Sequence, residues 1–131
     1  MKILSRDEIL GANDIPREVV EVPEWGGAVW VYGLTGAERD AFEAETIGEE
    51  KKNKRMNFQN LRARLCALAI RDEEGKRVFS RNDVELLGCK SCAGLVRVYD
   101  VAQRLSGLTD EDVEQLSGNS ETGQSAGSTS D

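Results

Sequence analysis

Cys89-Lys90-Ser91-Cys92 places two thiols at the spacing used by redox dithiols and by half of a zinc site. A thioredoxin-like dithiol needs a βαβ setting, and this tetrapeptide falls between two short helical patterns instead. Zinc normally takes four nitrogen or sulfur ligands. Cys66 is the remaining thiol and the 131 residues include no histidine, so a carboxylate or a second chain would have to complete the set. Cys89 and Cys92 are therefore expected to be small, partly buried residues at a helix start. Without imidazole there is no Ser-His-Asp or Cys-His relay and no histidine acid or base. Asp110 with Glu114, and Glu73 with Glu74, are exposed by pattern, with no apolar pocket to raise a pKa. Gly26-Gly27 is too short for a phosphate loop or a dinucleotide fingerprint. The residues thus predict no catalytic set, no metal site and no cofactor site, and the expected character is a non-enzymatic binding domain.

Binding residues are easier to nominate. The formal net charge is −7, but its distribution is uneven. Residues 1–50 carry 4 basic and 12 acidic side chains, 51–71 carry 7 basic and none acidic, 72–106 carry 6 of each, and 107–131 carry 6 acidic alone. The basic block from Lys51 to Arg71 has three readings: a solvated face paired with the protein's own acids, a docking surface for an acidic partner, or a phosphate contact. The acidic flanks oppose encounter with nucleic acid, and Phe58 is the block's only aromatic, so nucleic acid is not the expected partner. Trp25, Trp30 and Tyr32 gather three of the seven aromatics in one short stretch, either to cover the helices or as a binding hot spot. Trp25, Trp30, Arg62 and Arg64 are the candidate partner contacts.

The elements that position these residues follow from caps and periodicity. Ser5-Arg-Asp-Glu8 is a capping box opening a short helix that closes at Gly11. Val19–Val22 and Ala28–Tyr32 flank Pro23-Glu-Trp-Gly-Gly27 and predict a hairpin, or a longer loop around Pro23. A second capping box, Thr35-Gly-Ala-Glu38, opens a helix to about Ile47, with Ala37, Ala41, Phe42, Ala44 and Ile47 on one side. A polar connection over 49–55 leads to a helix capped near Asn57, whose stripe is Phe58, Leu61, Leu65, Leu68 and Ala69, with Arg62 and Arg64 off it. Asp72-Glu-Glu-Gly75 is a turn signal between Ala69–Arg71 and Arg77–Phe79, consistent with a small second hairpin. Ser80-Arg-Asn-Asp83 caps a short helix that Gly88 is expected to stop in the left-handed conformation. Leu95, Val98, Tyr99, Ala102 and Leu105 mark the long helix of 91–105, which Gly107 ends before Leu108. Thr109 opens a last helix carrying Val113 and Leu116.

The expected fold is α+β and mainly α-helical: an N-terminal β-hairpin followed by a small helical domain, residues 1–116. The Ser/Gly-rich residues 117–131 are expected to be a disordered tail. No window is apolar enough to span a bilayer, and the first residues lack the apolar run of a signal peptide, so no membrane contact is expected.

Two stretches carry a family resemblance. Glu21-Val-Pro-Glu-Trp-Gly-Gly27 is followed by Val31-Tyr-Gly-Leu-Thr-Gly-Ala-Glu-Arg-Asp40. Lys76-Arg-Val-Phe79 leads through Asp83-Val84 to Asp100-Val-Ala-Gln-Arg-Leu-Ser-Gly-Leu-Thr-Asp-Glu-Asp112. Over residues 1–116 the chain resembles the small tail assembly chaperones of long-tailed bacteriophages and their prophages. The resemblance implies a non-enzymatic protein that binds the helix-rich tape measure protein, keeps it soluble and helps tail tube subunits assemble around it before leaving the particle. It implies a place in the host bacterial cytoplasm and not in the mature virion. It also implies that this chain is the short form, that tail tube protein is contacted through a longer frameshifted form, and that self-association is open. The rival expectation is a small phage or prophage regulator touching nucleic acid through residues 51–71.

Overall fold

The structure, a computed structural model, describes residues 1–47 and 60–108. The connection expected over 49–55, the helix start near Asn57, the last helix from Thr109 and the tail of 117–131 lie outside the described residues. Helix α1 is Arg6–Gly11, strands β1 and β2 are Arg17–Val22 and Gly27–Tyr32, and α2 is Gly36–Ile47. Helix α3, Leu61–Ala69, runs directly into β3, Ile70–Arg71; α4 is Val84–Leu87 and α5 is Cys92–Leu105. This is the expected α+β arrangement, helices and one antiparallel sheet of order β1-β2-β3.

The hairpin forms as its sequence dictates. Arg17 pairs with Tyr32 and Val22 with Gly27, and Pro23–Trp25 make a 3₁₀ turn that Gly26 leaves at φ 81°. Proline supplies the fixed φ at the start of that turn, and glycine the left-handed residue at its end. Alternation then sorts the side chains. Val20, Val22 and Val31 point into the core, while Val19 is half exposed on the other face. The core closes when α5 lays Leu95, Val98, Tyr99 and Ala102 over this inner face and α3 adds Ala63, Leu65, Cys66 and Ala69.

Two ion pairs hold α5 to the hairpin at opposite ends: Arg104 with Glu18 at 3.0 Å and Arg97 with Glu24 at 2.8 Å. Two backbone contacts fix the rest. The Leu34 N–H donates to Ser106 Oγ at 2.9 Å, and Gly33 lies so close to the end of α5 that a Cβ there would sit 2.5 Å from the Leu105 carbonyl oxygen. Leu108, buried after Gly107 at φ 73°, completes the helix stop expected from sequence.

Three expectations change. Ile70–Arg71 make the small second hairpin only in part, through a bridge from Arg71 to Arg77 and the Asp72 and Val78 N–H groups donating to the Lys76 and Ile70 carbonyls at 2.9 and 3.4 Å, and they also extend the first hairpin, pairing with Val31 and Trp30 of β2. The core side of β2 already offers backbone groups, so the short strand takes them. The intervening turn is as read, with Asp72 Oδ1 accepting from the N–H groups of Glu74 and Lys76. Gly88 stops α4 in the right-handed region (φ −65°, ψ −13°), so positive φ is not why glycine stands there. A Cβ at 88 would fall 2.4 Å from Asn60 Oδ1, the end of a side chain that would have to turn aside, and 3.4 Å from the Val84 carbonyl oxygen. Lastly, Arg64 does not lie off the buried stripe: it is 5 % exposed.

Candidate functional site

Helix α2 buries less than its sequence suggests. Its capping box forms, Thr35 Oγ1 accepting from the Glu38 N–H at 3.1 Å and Glu38 Oε1 from the Thr35 N–H at 2.9 Å. Among its described side chains Phe42 and Thr46 reach the core, whereas Ala37, Ala41 and Ala44 are exposed. Ala37 and Ala41 instead form one wall of a groove of about 430 Å³ between α2, α3 and the segment Arg77–Val84. Phe42, Ala67, Leu68 and Phe79 give it an apolar floor.

Arginines and glutamates frame this groove. Arg64 crosses from α3 beneath α2, its Nη2 donating to Thr46 Oγ1 at 3.3 Å and its guanidinium lying 5.7 Å from the Phe42 ring centre. Burial pulls the Arg64 pKa down, partly offset by the charge of Glu45. At the rim, Glu38 accepts from both Arg71 and Arg77, the latter at 2.9 Å. Burial pushes the Glu38 pKa up, but the Thr35 N–H and the two guanidiniums outweigh it and hold the carboxyl below its ordinary value. Arg81, 83 % exposed, stands 3.7 Å from Glu45. The groove is therefore apolar at its floor and charged at its rim.

The sequence-nominated residues fall in different places. Trp25 and Trp30 share a depression of about 340 Å³ with Ala28, Val78 and Phe79, beside the first half of β2 where the two-residue β3 leaves it uncovered. Trp25 also packs on α5, its Nε1 3.0 Å from where a Gly94 Cβ would be. Trp30 points outward, with the Arg17 guanidinium 4.3 Å from its ring centre. Arg62 is exposed, 5.7 Å from the Tyr99 ring centre, and Arg64 lines the groove. The four therefore do not converge on one site; Phe79 lines both concavities. Sequence reasoning placed Ala37, Ala41, Phe42, Ala44 and Ile47 on one side of α2 and did not separate residues that fill a core from residues that line a groove. The signal was present in side-chain size, since alanines cover little core.

Cys89 and Cys92 are exposed free thiols, which corrects the partly buried placement expected of them. Cys66 is buried, its Sγ 3.6 Å from the Leu95 carbonyl oxygen, and burial pushes its pKa up to about 12. Among the described residues, no three His, Cys, Asp or Glu side chains are grouped to hold a metal, and no helix is long and apolar enough to cross a membrane.

No family model and no curated protein matches the sequence. The fold is similar to the solved structure of the bacteriophage HK97 tail assembly chaperone. The TM-score is 0.54, with 19% identity over 79% of this chain and 95% of that one.

Proposed function

We propose that this chain is a phage tail assembly chaperone, acting without catalysis in the host bacterial cytoplasm. It binds the tape measure protein, keeps it soluble and promotes tail tube assembly around it. The observation that carries this reading is the fold likeness to the HK97 tail assembly chaperone, which takes in 95% of that chain. The sequence resemblance of residues 1–116 supports it independently. On this reading tail tube protein is contacted through a longer frameshifted product, and copies of the chain associate with one another during assembly.

The basic segment offers little to nucleic acid where it is described. Arg64 is buried and the Arg71 side chain is 17 % exposed and paired with Glu38, which leaves Arg62 as the open guanidinium of residues 60–71. Co-expression with the tape measure protein of the same genome tests the proposal. A soluble, co-purifying tape measure is the expected result. A tape measure that stays insoluble and uncaptured by both this chain and its frameshifted product overturns it.

A further inference from the structure

We infer that the groove between α2 and α3 is the seat for a partner α-helix whose aliphatic stripe is flanked by carboxylates, a proposal that rests on the chaperone reading and names the segment chemistry it selects. The length fits. The α2 residues lining the groove lie between Ala37 and Glu45, a nine-residue span whose ends are about 12 Å apart along the helix. A bound helix presents side chains at i, i+4 and i+7 over nearly the same distance. The wall fits as well, because Ala37, Ala41 and Ala67 let another backbone approach closely, while Phe42, Leu68 and Phe79 provide the apolar floor.

Charge selects the occupant. The protein is acidic overall, yet at the rim of this groove Arg77 and Arg81 are 46 % and 83 % exposed while the facing carboxylates of Glu38 and Glu45 are 15 % and 39 % exposed, so an incoming partner meets mainly guanidinium. Among the described residues Arg81 is held by one long contact, to Glu45 at 3.7 Å, and its 83 % exposed side chain can turn toward an incoming carboxylate. A helix flanked by lysines would meet like charge along the same rim.

The test uses the full chain and two 18-residue helical peptides sharing one leucine stripe, flanked by glutamates in the first and lysines in the second. The double variant Ala41→Glu, Arg81→Glu alters two exposed positions and should leave the fold, checked by circular dichroism, unchanged. The expected result is binding of the glutamate peptide, at least about tenfold weaker binding of the lysine peptide, and a loss of about tenfold or more for the glutamate peptide in the variant. Equal binding of both peptides, or an unaffected variant, overturns the proposal. So does protection of an Ala41→Cys thiol from alkylation in the unliganded chain, since the groove would then be covered by the chain itself or by a second copy. Tape measure capture is scored separately. If the double variant still captures it, the chaperone reading stands and the groove assignment falls; if neither wild type nor its frameshifted product captures any, the chaperone reading fails while the peptides still report on the groove.

Discussion

Glu38→Gln isolates the charge at the centre of the structure's densest ion-pair cluster. Glutamine keeps the shape of the side chain and can still accept from the Thr35 N–H, so the capping box survives. What disappears is the charge facing Arg71 and Arg77. The Arg71 pair is largely enclosed, with side chains 17 % and 15 % exposed, and stranding a guanidinium there costs about 2 kcal/mol, below the 3–5 kcal/mol of a fully buried pair. Arg77 is about half exposed and adds roughly 0.5 kcal/mol. A loss of about 2.5 kcal/mol is expected, read from urea denaturation as a lower midpoint at constant m. Adding Arg71→Met should recover part of it by removing the stranded cation. The Glu38 carboxyl is held below its ordinary value of 4.5 when folded, so its contribution is fully present above the unfolded pKa and is lost as pH falls through the lower folded value. The variant should therefore show a flatter acid limb below about pH 4.5. A loss under about 0.5 kcal/mol, or strict additivity with Arg71→Met, would refute the reasoning.

Gly33→Ala drives a Cβ to within 2.5 Å of the Leu105 carbonyl, a backbone atom that cannot swing aside, and should cost about 2–3 kcal/mol, visible as a fall in Tm by thermal circular dichroism. Leu65→Ala, at a fully buried position of α3, should cost about 3 kcal/mol in the same assay, and a much smaller loss would mean that the core collapses around it. Iodoacetamide at pH 8 should alkylate Cys89 and Cys92 within minutes and spare Cys66 until urea unfolds the chain, as read by mass spectrometry.

The local grammar of this chain was legible residue by residue. The capping boxes at Ser5 and Thr35 and the Asp72 turn are fixed by side-chain groups reaching backbone a few residues away, and the Pro23–Gly27 turn and the Gly107-Leu108 stop by short-range backbone hydrogen bonds around a glycine at positive φ. Such interactions leave marks at short range. Long-range choices left weaker marks. Ile70-Arg71 read as one arm of a turn with Arg77–Phe79, and nothing local marks that they also pair with β2. Arg64 reads as a surface residue until α2 supplies Thr46 and Phe42 to meet it. The candidate site lay in the same blind spot, because an alanine face looks alike whether a core or a partner covers it.

The hydrogen bond between Leu34 and Ser106 ties the end of α5 to the start of α2. Leu34 lies two residues before Gly36, the first residue of α2, and Leu108 lies two residues after Ser106, so Leu108 stands near the N-terminal end of the helix that forms the groove wall. A module attached there by a short flexible link would work at an effective local concentration on the order of millimolar with respect to that groove. One partner gripped in the groove and another held by the attached module would then meet as if tethered, and the frequency of their encounter would be set by the link's length and not by their abundance in the cell.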